Sequence, residues 1–330
     1  MPLEGNAHQA YLAAANGSVV DGNRFFNGFF AQLLNDPWKI TKAGQEFLNV
    51  CYDTDANAYS NIHKGAIYYY LGLAAFLFQD YEMATFYIDA AVSEDVHAGA
   101  DGINNPSLAI RFLQLDSSAP ENRDFVLDTQ VRIDAQIQNY AARPDARVFD
   151  VNELRNRFLS PSITPIHANW RTLATTFISF CLEWNYRDML FNLVPNQGTS
   201  EPFFLHLFKG CVLFESLLKE NRTRLWNPPN PARNTLGAAI IEFHDLLNIN
   251  RALGTQIGAN NLSDVVSSLN TTGGNEPVDI AIQFTGKLRN TIGHNLGWNI
   301  SINKLEYQRL FQMVASSCLH AIACLYPPPI

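Results

Sequence analysis

The chain contains 330 residues, with 23 lysines and arginines against 31 aspartates and glutamates, and its formal net charge is −8. Hydrophobic residues make up 47% of the chain and charged residues 16%, compared with a usual charged share of about 25%. This composition excludes a generally disordered chain, and the acidic balance argues against broad, salt-driven binding of nucleic acid.

Apolar residues recur at helical spacing through most of the chain, and the period-2 alternation of strands is scarce. We therefore predict an all-α protein. In the first half, the pattern predicts helices over residues 24–35, 41–52, 59–78, 80–94, 106–114 and 124–141. In the second half, it predicts helices over residues 167–194, 201–220, 235–253, 261–269, 277–293 and 302–325.

A proline-marked stretch, residues 141–165, separates the two halves. Proline interrupts helices and strands alike, so we predict no regular element there. The sequence thus predicts two helical domains, residues 1–160 and residues 161–330.

One helical hairpin in the first half has a recognisable spacing of small and aromatic residues. Its signature positions are Tyr68, Leu71, Gly72, Tyr81, Ala84 and Ala91. This pattern resembles a tetratricopeptide repeat, which implies a surface that binds a peptide, a protein or a regulator. Only one copy is present, whereas a repeat array needs about three, so a well-packed helical hairpin explains the same residues.

Nothing near the amino terminus resembles a secretory signal, and the most apolar run, residues 66–78, is too short to span a bilayer. The five cysteines are spread along the chain without a Cys-x-x-Cys pair, as expected for buried thiols in a reducing compartment. We therefore expect a cytoplasmic protein that has no membrane partner, no metal site and no cofactor.

The strongest candidate for chemistry lies on the predicted helix 277–293. Arg289, Asn290 and His294 follow one another at a spacing that places Asn290 and His294 on one helix face. Gly293 directly precedes the histidine, so the helix can end or deform there. We expect His294 to emerge from a loosened last turn, with Asn290 orienting its ring and Arg289 reaching the same side.

These residue types suit cleavage of RNA. A histidine transfers protons near neutral pH, and an arginine matches phosphate oxygens with two parallel hydrogen bonds. Cleavage by the 2′-hydroxyl needs both actions and no metal ion. Two copies related by a two-fold axis would double both groups.

The Arg289-Asn-Thr-Ile-Gly-His294 segment resembles the hallmark of the HEPN superfamily, an arginine followed by a polar residue, a short spacer and a histidine on a late helix of a bundle. The resemblance covers about residues 165–330. It implies an endoribonuclease that needs no metal, acts as a homodimer with a composite site, leaves a 2′,3′-cyclic phosphate, and belongs to antiviral or toxin systems. By this resemblance Arg289 and His294 are catalytic, and Asn290 supports them.

Other side chains could assist. RNA-binding candidates beside the motif are Lys287, Asn295, Lys304 and Arg309. Candidate orienting acids or solvent-exposed polar groups are Glu215, Glu242, His244 and Asp245. His320 lies in an apolar run, which favours a histidine of the core.

Three other interpretations of the motif remain open. His294 and Arg289 could simply be charges at an exposed helix end. The chain could be a non-catalytic interaction protein, in which the first half recruits a partner and the second half dimerises. It could also be a nucleotide-sensing regulator that binds a phosphorylated ligand in the same pocket without turnover.

Overall fold

The protein is described here from a computed structural model. The residues that it describes are 19–54, 59–60, 62–193, 199–221, 235–247, 261–274, 276–294 and 300–326. Within these ranges the backbone forms helices and turns and contains no strand, so the chain belongs to the all-α class.

The helices are numbered here in chain order. Those of the first half are α1 (Val19–Ala31), α2 (Pro37–Thr54), α3 (Gly65–Leu77), α4 (Tyr81–His97), α5 (Leu108–Leu113), α6 (Arg123–Ala141) and α7 (Val151–Arg157), with a short 3-10 helix at Pro120–Asn122. Those of the second half are α8 (Ala168–Leu193), α9 (Glu201–Glu220), α10 (Leu236–Leu246), α11 (Leu262–Asn270), α12 (Val278–His294) and α13 (Lys304–Leu325).

Side-chain caps explain where several helices begin. At the start of α4, the Asp80 carboxylate accepts a hydrogen bond from the backbone N–H of Met83 at 3.1 Å. At the start of α13, Asn303 and Glu306 bond reciprocally to each other's backbone N–H groups. These caps satisfy N–H groups that have no partner within the helix.

The structure departs from the predicted helix 59–78, because α3 begins only at Gly65. The Lys64 ammonium donates to the carbonyl oxygens of Ile62 at 2.6 Å and Tyr59 at 3.1 Å. These contacts lie directly before α3, and Lys64 itself has non-helical dihedral angles.

The prediction of no regular element in residues 141–165 was wrong, because α7 lies inside this stretch. Its amino terminus is capped by Asp150, whose carboxylate accepts from the backbone N–H of Glu153 at 2.8 Å. Leu154 in this helix and Phe158 directly after it are fully buried. The prolines of this stretch, Pro144, Pro161 and Pro165, lie outside α7, so none of them breaks it.

The chain divides into two compact units that are interleaved in sequence. The first contains Met1–Asp128 and Leu159–Ser179, and the second contains Thr129–Phe158 and Phe180–Ile330. Two of the three boundaries fall within α6 and α8, and the third lies just after α7. The division at residue 160 into two consecutive domains stays a prediction from the sequence.

The α3–α4 hairpin is central to the first unit. A methyl group added at Gly72 of α3 would lie 3.1 Å from the carbonyl oxygen of Ala84 on α4, so the two backbones approach closely at this glycine. Ile88 and Ala91 are fully buried on the same side of α4. Gln79 turns the chain with a φ of 62°. The close hairpin predicted from these small residues is present, whereas its membership in a repeat family stays a prediction.

In the second unit, α9 and α12 pack against α13 and against each other. The middle of α13 is buried on all sides, from Phe311 to Ile322 apart from Gln312. A helix surrounded in this way forms the core of the unit, and α12, which carries the motif, is fixed against it.

No helix in the described ranges is both long enough and apolar enough to cross a lipid bilayer.

Candidate active site

The motif lies on the last two turns of α12. Leu288 and Ile292 are buried at 0% and 3% exposure, and they fix this end of the helix in the core of the second unit. Asn290 and Lys287 are exposed, and Arg289 is partly exposed. The helix thus presents the polar motif residues at its surface, as its apolar spacing predicts.

Arg289 makes an ion pair with an acid on another helix. Its Nε donates a hydrogen bond to Oε2 of Glu215 on α9 at 2.7 Å. The Glu215 side chain is only 9% exposed, whereas Arg289 is 29% exposed. Since the buried carboxylate has few conformations available, it fixes the position of the more mobile guanidinium.

The same carboxylate also contacts Lys219, one turn further along α9. The Lys219 ammonium donates to Oε1 of Glu215 at 2.5 Å. One acid therefore separates two cations, and these three side chains carry a formal charge of +1. A local positive charge of this kind attracts an anion even though the whole chain is acidic.

The guanidinium reaches towards the carboxyl end of α12. Its Nη1 lies 4.0 Å from the position that a Cβ atom would occupy at Gly293, one turn further along. Nε donates to Glu215, and Nη1 and Nη2 form another edge of the guanidinium. An edge with two N–H donors can bind two oxygens of a phosphate.

Gly293 lies beside the guanidinium, and a Cβ atom at this position would be in ordinary contact with its neighbours. A Cβ atom there would lie 3.4 Å from the nearest ring carbon of Phe208, which is an ordinary van der Waals distance. The site therefore accepts a methyl group at this position without displacing α9.

Cys211 lies one turn before Glu215 and is fully buried. Burial raises the pKa of its thiol, and the positive charge of Arg289 opposes this rise only in part. The thiol is therefore neutral at physiological pH, and it is a packing group rather than a nucleophile.

Two of the predicted site residues lie wholly or partly outside what the structure describes. These are the side chain of His294, whose backbone closes α12, and the whole of Asn295. The expected contact between Asn290 and the histidine ring therefore stays a prediction.

Two of the RNA-binding candidates, Lys304 and Arg309, make ion pairs with acids. The Lys304 ammonium donates to the amide oxygen of Asn192 at 2.9 Å and lies 3.3 Å from Asp188. Arg309 donates to the backbone and hydroxyl oxygens of Thr272, and it lies 3.1 Å from Glu276. Each of these cations is thus paired with an acid, and Glu276 is shared with Arg143, whereas Lys287 is exposed on the same helix as Arg289. Their role in RNA binding stays a prediction.

Two of the candidate orienting residues lie in different parts of the second unit. Glu215 contacts Arg289 directly, whereas His244 is buried elsewhere, with Nε2 3.0 Å from Oδ1 of Asp279. His320 is a core histidine, as its apolar sequence context predicted, and a hydrogen bond of 2.9 Å joins its Nδ1 to the Tyr140 hydroxyl oxygen.

The sequence analysis missed a buried polar pair in the same unit. His206 Nε2 donates to the carbonyl oxygen of Phe180 at 2.9 Å, and Nδ1 accepts from the Tyr307 hydroxyl at 2.7 Å. Burial lowers the pKa of His206 to about 4, so the ring is neutral. Its place between apolar neighbours in Phe-Phe-Leu-His-Leu-Phe is the signal that could have identified it.

Within the described ranges, no cluster of three or more histidine, cysteine or acidic side chains has the arrangement needed to hold a metal ion. The comparisons with protein-family models, curated proteins and solved structures found no match to this chain.

Proposed function

We propose that the protein is an endoribonuclease that cleaves RNA without a metal ion, with Arg289 and His294 as its catalytic residues and Asn290 in support. The observation that carries this proposal is the Arg289–Glu215 contact, which holds a guanidinium at the end of α12 that His294 closes. A guanidinium that stabilises the phosphate charge and a histidine that transfers protons are together sufficient for this kind of phosphodiester cleavage.

In the reaction, the 2′-hydroxyl oxygen of RNA attacks the adjacent phosphorus, and the bond to the 5′-oxygen breaks. His294 transfers protons, and Arg289 stabilises the added negative charge on the phosphate oxygens. The products are a 2′,3′-cyclic phosphate and a 5′-hydroxyl. One histidine as base and a second as acid would complete the proton balance, so we propose that two protomers form one composite site.

The rest of the proposal follows from the resemblance to the HEPN superfamily. Lys287, Asn295, Lys304 and Arg309 would bind the RNA backbone, and the tetratricopeptide-like hairpin would receive a protein or nucleotide regulator. The same resemblance leads us to propose a cytoplasmic role in antiviral defence or a toxin system.

The test is cleavage of a labelled single-stranded RNA in a buffer that contains a chelator. We expect Arg289→Ala to lower the rate about 10²- to 10³-fold and His294→Ala to lower it about 10²- to 10⁴-fold. Arg111→Ala is a matched control, because Arg111 is similarly exposed and forms an ion pair with Asp116 at 2.6 Å. Wild-type rates in both site variants would overturn the proposal.

A second function uses the same guanidinium without proton transfer. The positive charge of Arg289 and Lys219 around one buried acid also suits a regulator that binds a phosphorylated nucleotide. Calorimetry with mono- and oligonucleotides separates the two functions, because tight binding without cleavage would favour the regulator.

A further inference from the structure

We propose that the first unit contains a binding pocket for a small organic cation, an ammonium or amidinium group on a compact apolar body, with Asp95 as its anionic anchor. This pocket is separate from the candidate nuclease site, and its existence does not depend on the proposed function.

The pocket is a cavity of about 240 Å³ formed by α1, α3, α4 and the start of α5. Residues that contribute to its wall include Asn27, Gly65, Tyr69, Asp95, Ser107 and Ala109. A cavity of about 150 Å³ holds benzene, so this space accommodates a ring with one polar substituent.

Asp95 places a carboxylate in the wall of the cavity. The residue is only 7% exposed, and its Oδ1 lies 2.8 Å from Nε2 of His63. A buried carboxylate is costly unless hydrogen bonds or positive charges compensate it. A cationic ligand would supply such a charge from the cavity side.

Asp95 is paired with His63 alone among the contacts given above, because the neighbouring cation Lys64 is engaged with a different acid. Lys64, the cation next to His63, lies 3.2 Å from Glu94, and its backbone N–H donates to the other oxygen of Glu94 at 3.0 Å. Glu94 therefore both neutralises Lys64 and satisfies the start of α3.

Gly65 shapes the pocket around the carboxylate. A Cβ atom at this position would lie 2.2 Å from Oδ1 of Asp95 and 2.6 Å from the His63 ring. Only glycine therefore allows the carboxylate and the imidazole to lie against the first turn of α3. The close approach brings Asp95 into the cavity wall rather than into solvent.

The remaining wall is apolar or neutral. Tyr69 and Ala109 are buried, and they give the cavity an apolar interior. Ser107 and Asn27 are more exposed and offer neutral hydrogen-bonding groups. One carboxylate in an otherwise uncharged wall selects a cation over an anion of the same shape.

The test uses benzamidine as the probe and benzamide as its neutral isostere, each titrated into the full chain and followed by NMR or calorimetry. We expect saturable binding of benzamidine that is about 10- to 100-fold tighter than that of benzamide. Asp95→Asn keeps the size of the side chain and should abolish this difference. Glu94→Gln removes an equal charge next to the cavity and should retain most of it.

Asp95→Asn could weaken folding, so a second variant fills the pocket without changing the anchor. Ala66 lines the cavity and is only partly buried, and Ala66→Leu should block benzamidine while helix content and the unfolding temperature remain near wild type. The proposal is overturned if neither benzamidine nor guanidinium binds saturably, or if Asp95→Asn keeps the preference for the cation. RNA cleavage is measured separately, so the two proposals fail independently.

Discussion

Arg289 on α12 and Glu215 on α9 are joined by a hydrogen bond of 2.7 Å between Nε and Oε2, although they lie 74 positions apart in the chain. The pair connects the exposed motif to a buried acid. Because of this contact the Arg289 guanidinium has a defined position, which a free surface charge would lack.

Glu215 is therefore expected to act on catalysis through Arg289. In Glu215→Gln the guanidinium loses its ionic partner, and kcat/KM for RNA should fall about 10- to 100-fold because the guanidinium is misplaced. Lys219→Met, which removes the cation on the other carboxylate oxygen, should have a smaller effect. Since a purely structural role would lower stability instead, thermal unfolding is measured alongside kcat and KM. Unchanged kinetics in Glu215→Gln would contradict this role.

Composite catalysis predicts a dependence on protein concentration. If two protomers form one site, the rate per protomer should rise with protein concentration until dimerisation is complete. Cleavage assays over a dilution series, compared with sedimentation data at the same concentrations, test this directly. A rate per protomer that stays constant while the protein dissociates would exclude the composite site.

Two buried histidines predict an acid-sensitive fold. Burial lowers the pKa of His206 and of His320 to about 4, compared with an ordinary value of 6.5. Between these values the unfolded chain binds more protons than the folded chain, so the free energy of unfolding falls as the pH falls from about 6.5 to about 4. Each histidine contributes on the order of 3 kcal/mol to this loss.

Denaturant unfolding between pH 7 and pH 4 measures this dependence. His206→Gln should flatten the curve, whereas His97→Gln, at an exposed position on α4, should leave it unchanged. A wild-type slope in His206→Gln would show that this histidine does not resist protonation.

Two glycines in the first unit predict opposite effects of the same substitution. Gly28 lies within α1 with no atom near the position of an added Cβ, so Gly28→Ala should stabilise the protein by about 0.5–1 kcal/mol. At Gly72 the added methyl group would crowd the Ala84 carbonyl oxygen at 3.1 Å and the Ile88 side chain at 3.2 Å. Gly72→Ala should therefore give no such gain, and we expect a net loss of stability.

Thermal unfolding of both variants checks this pair. Equal stabilisation by the two substitutions would mean that the α3–α4 hairpin separates easily and that the close approach at Gly72 contributes little.

Most helices could be predicted from the sequence, because their hydrogen bonds and their apolar faces repeat at short spacing. The position of Arg289 on the exposed side of α12, between buried Leu288 and Ile292, follows from that spacing alone. The seven-residue helix α7, which Asp150 caps, was not predicted because nearby prolines indicated an irregular stretch. Short helices contain too few turns to show a period.

The partners of the charged side chains were decided only by tertiary structure. Glu215 was one of several candidate acids in the sequence, and the packing of α9 against α12 selected it for Arg289. The same packing of distant segments paired Lys304 with Asp188 and Arg309 with Glu276. The physical reason is that helix formation depends on residues three or four positions apart, whereas an ion pair depends on which helix faces are brought together.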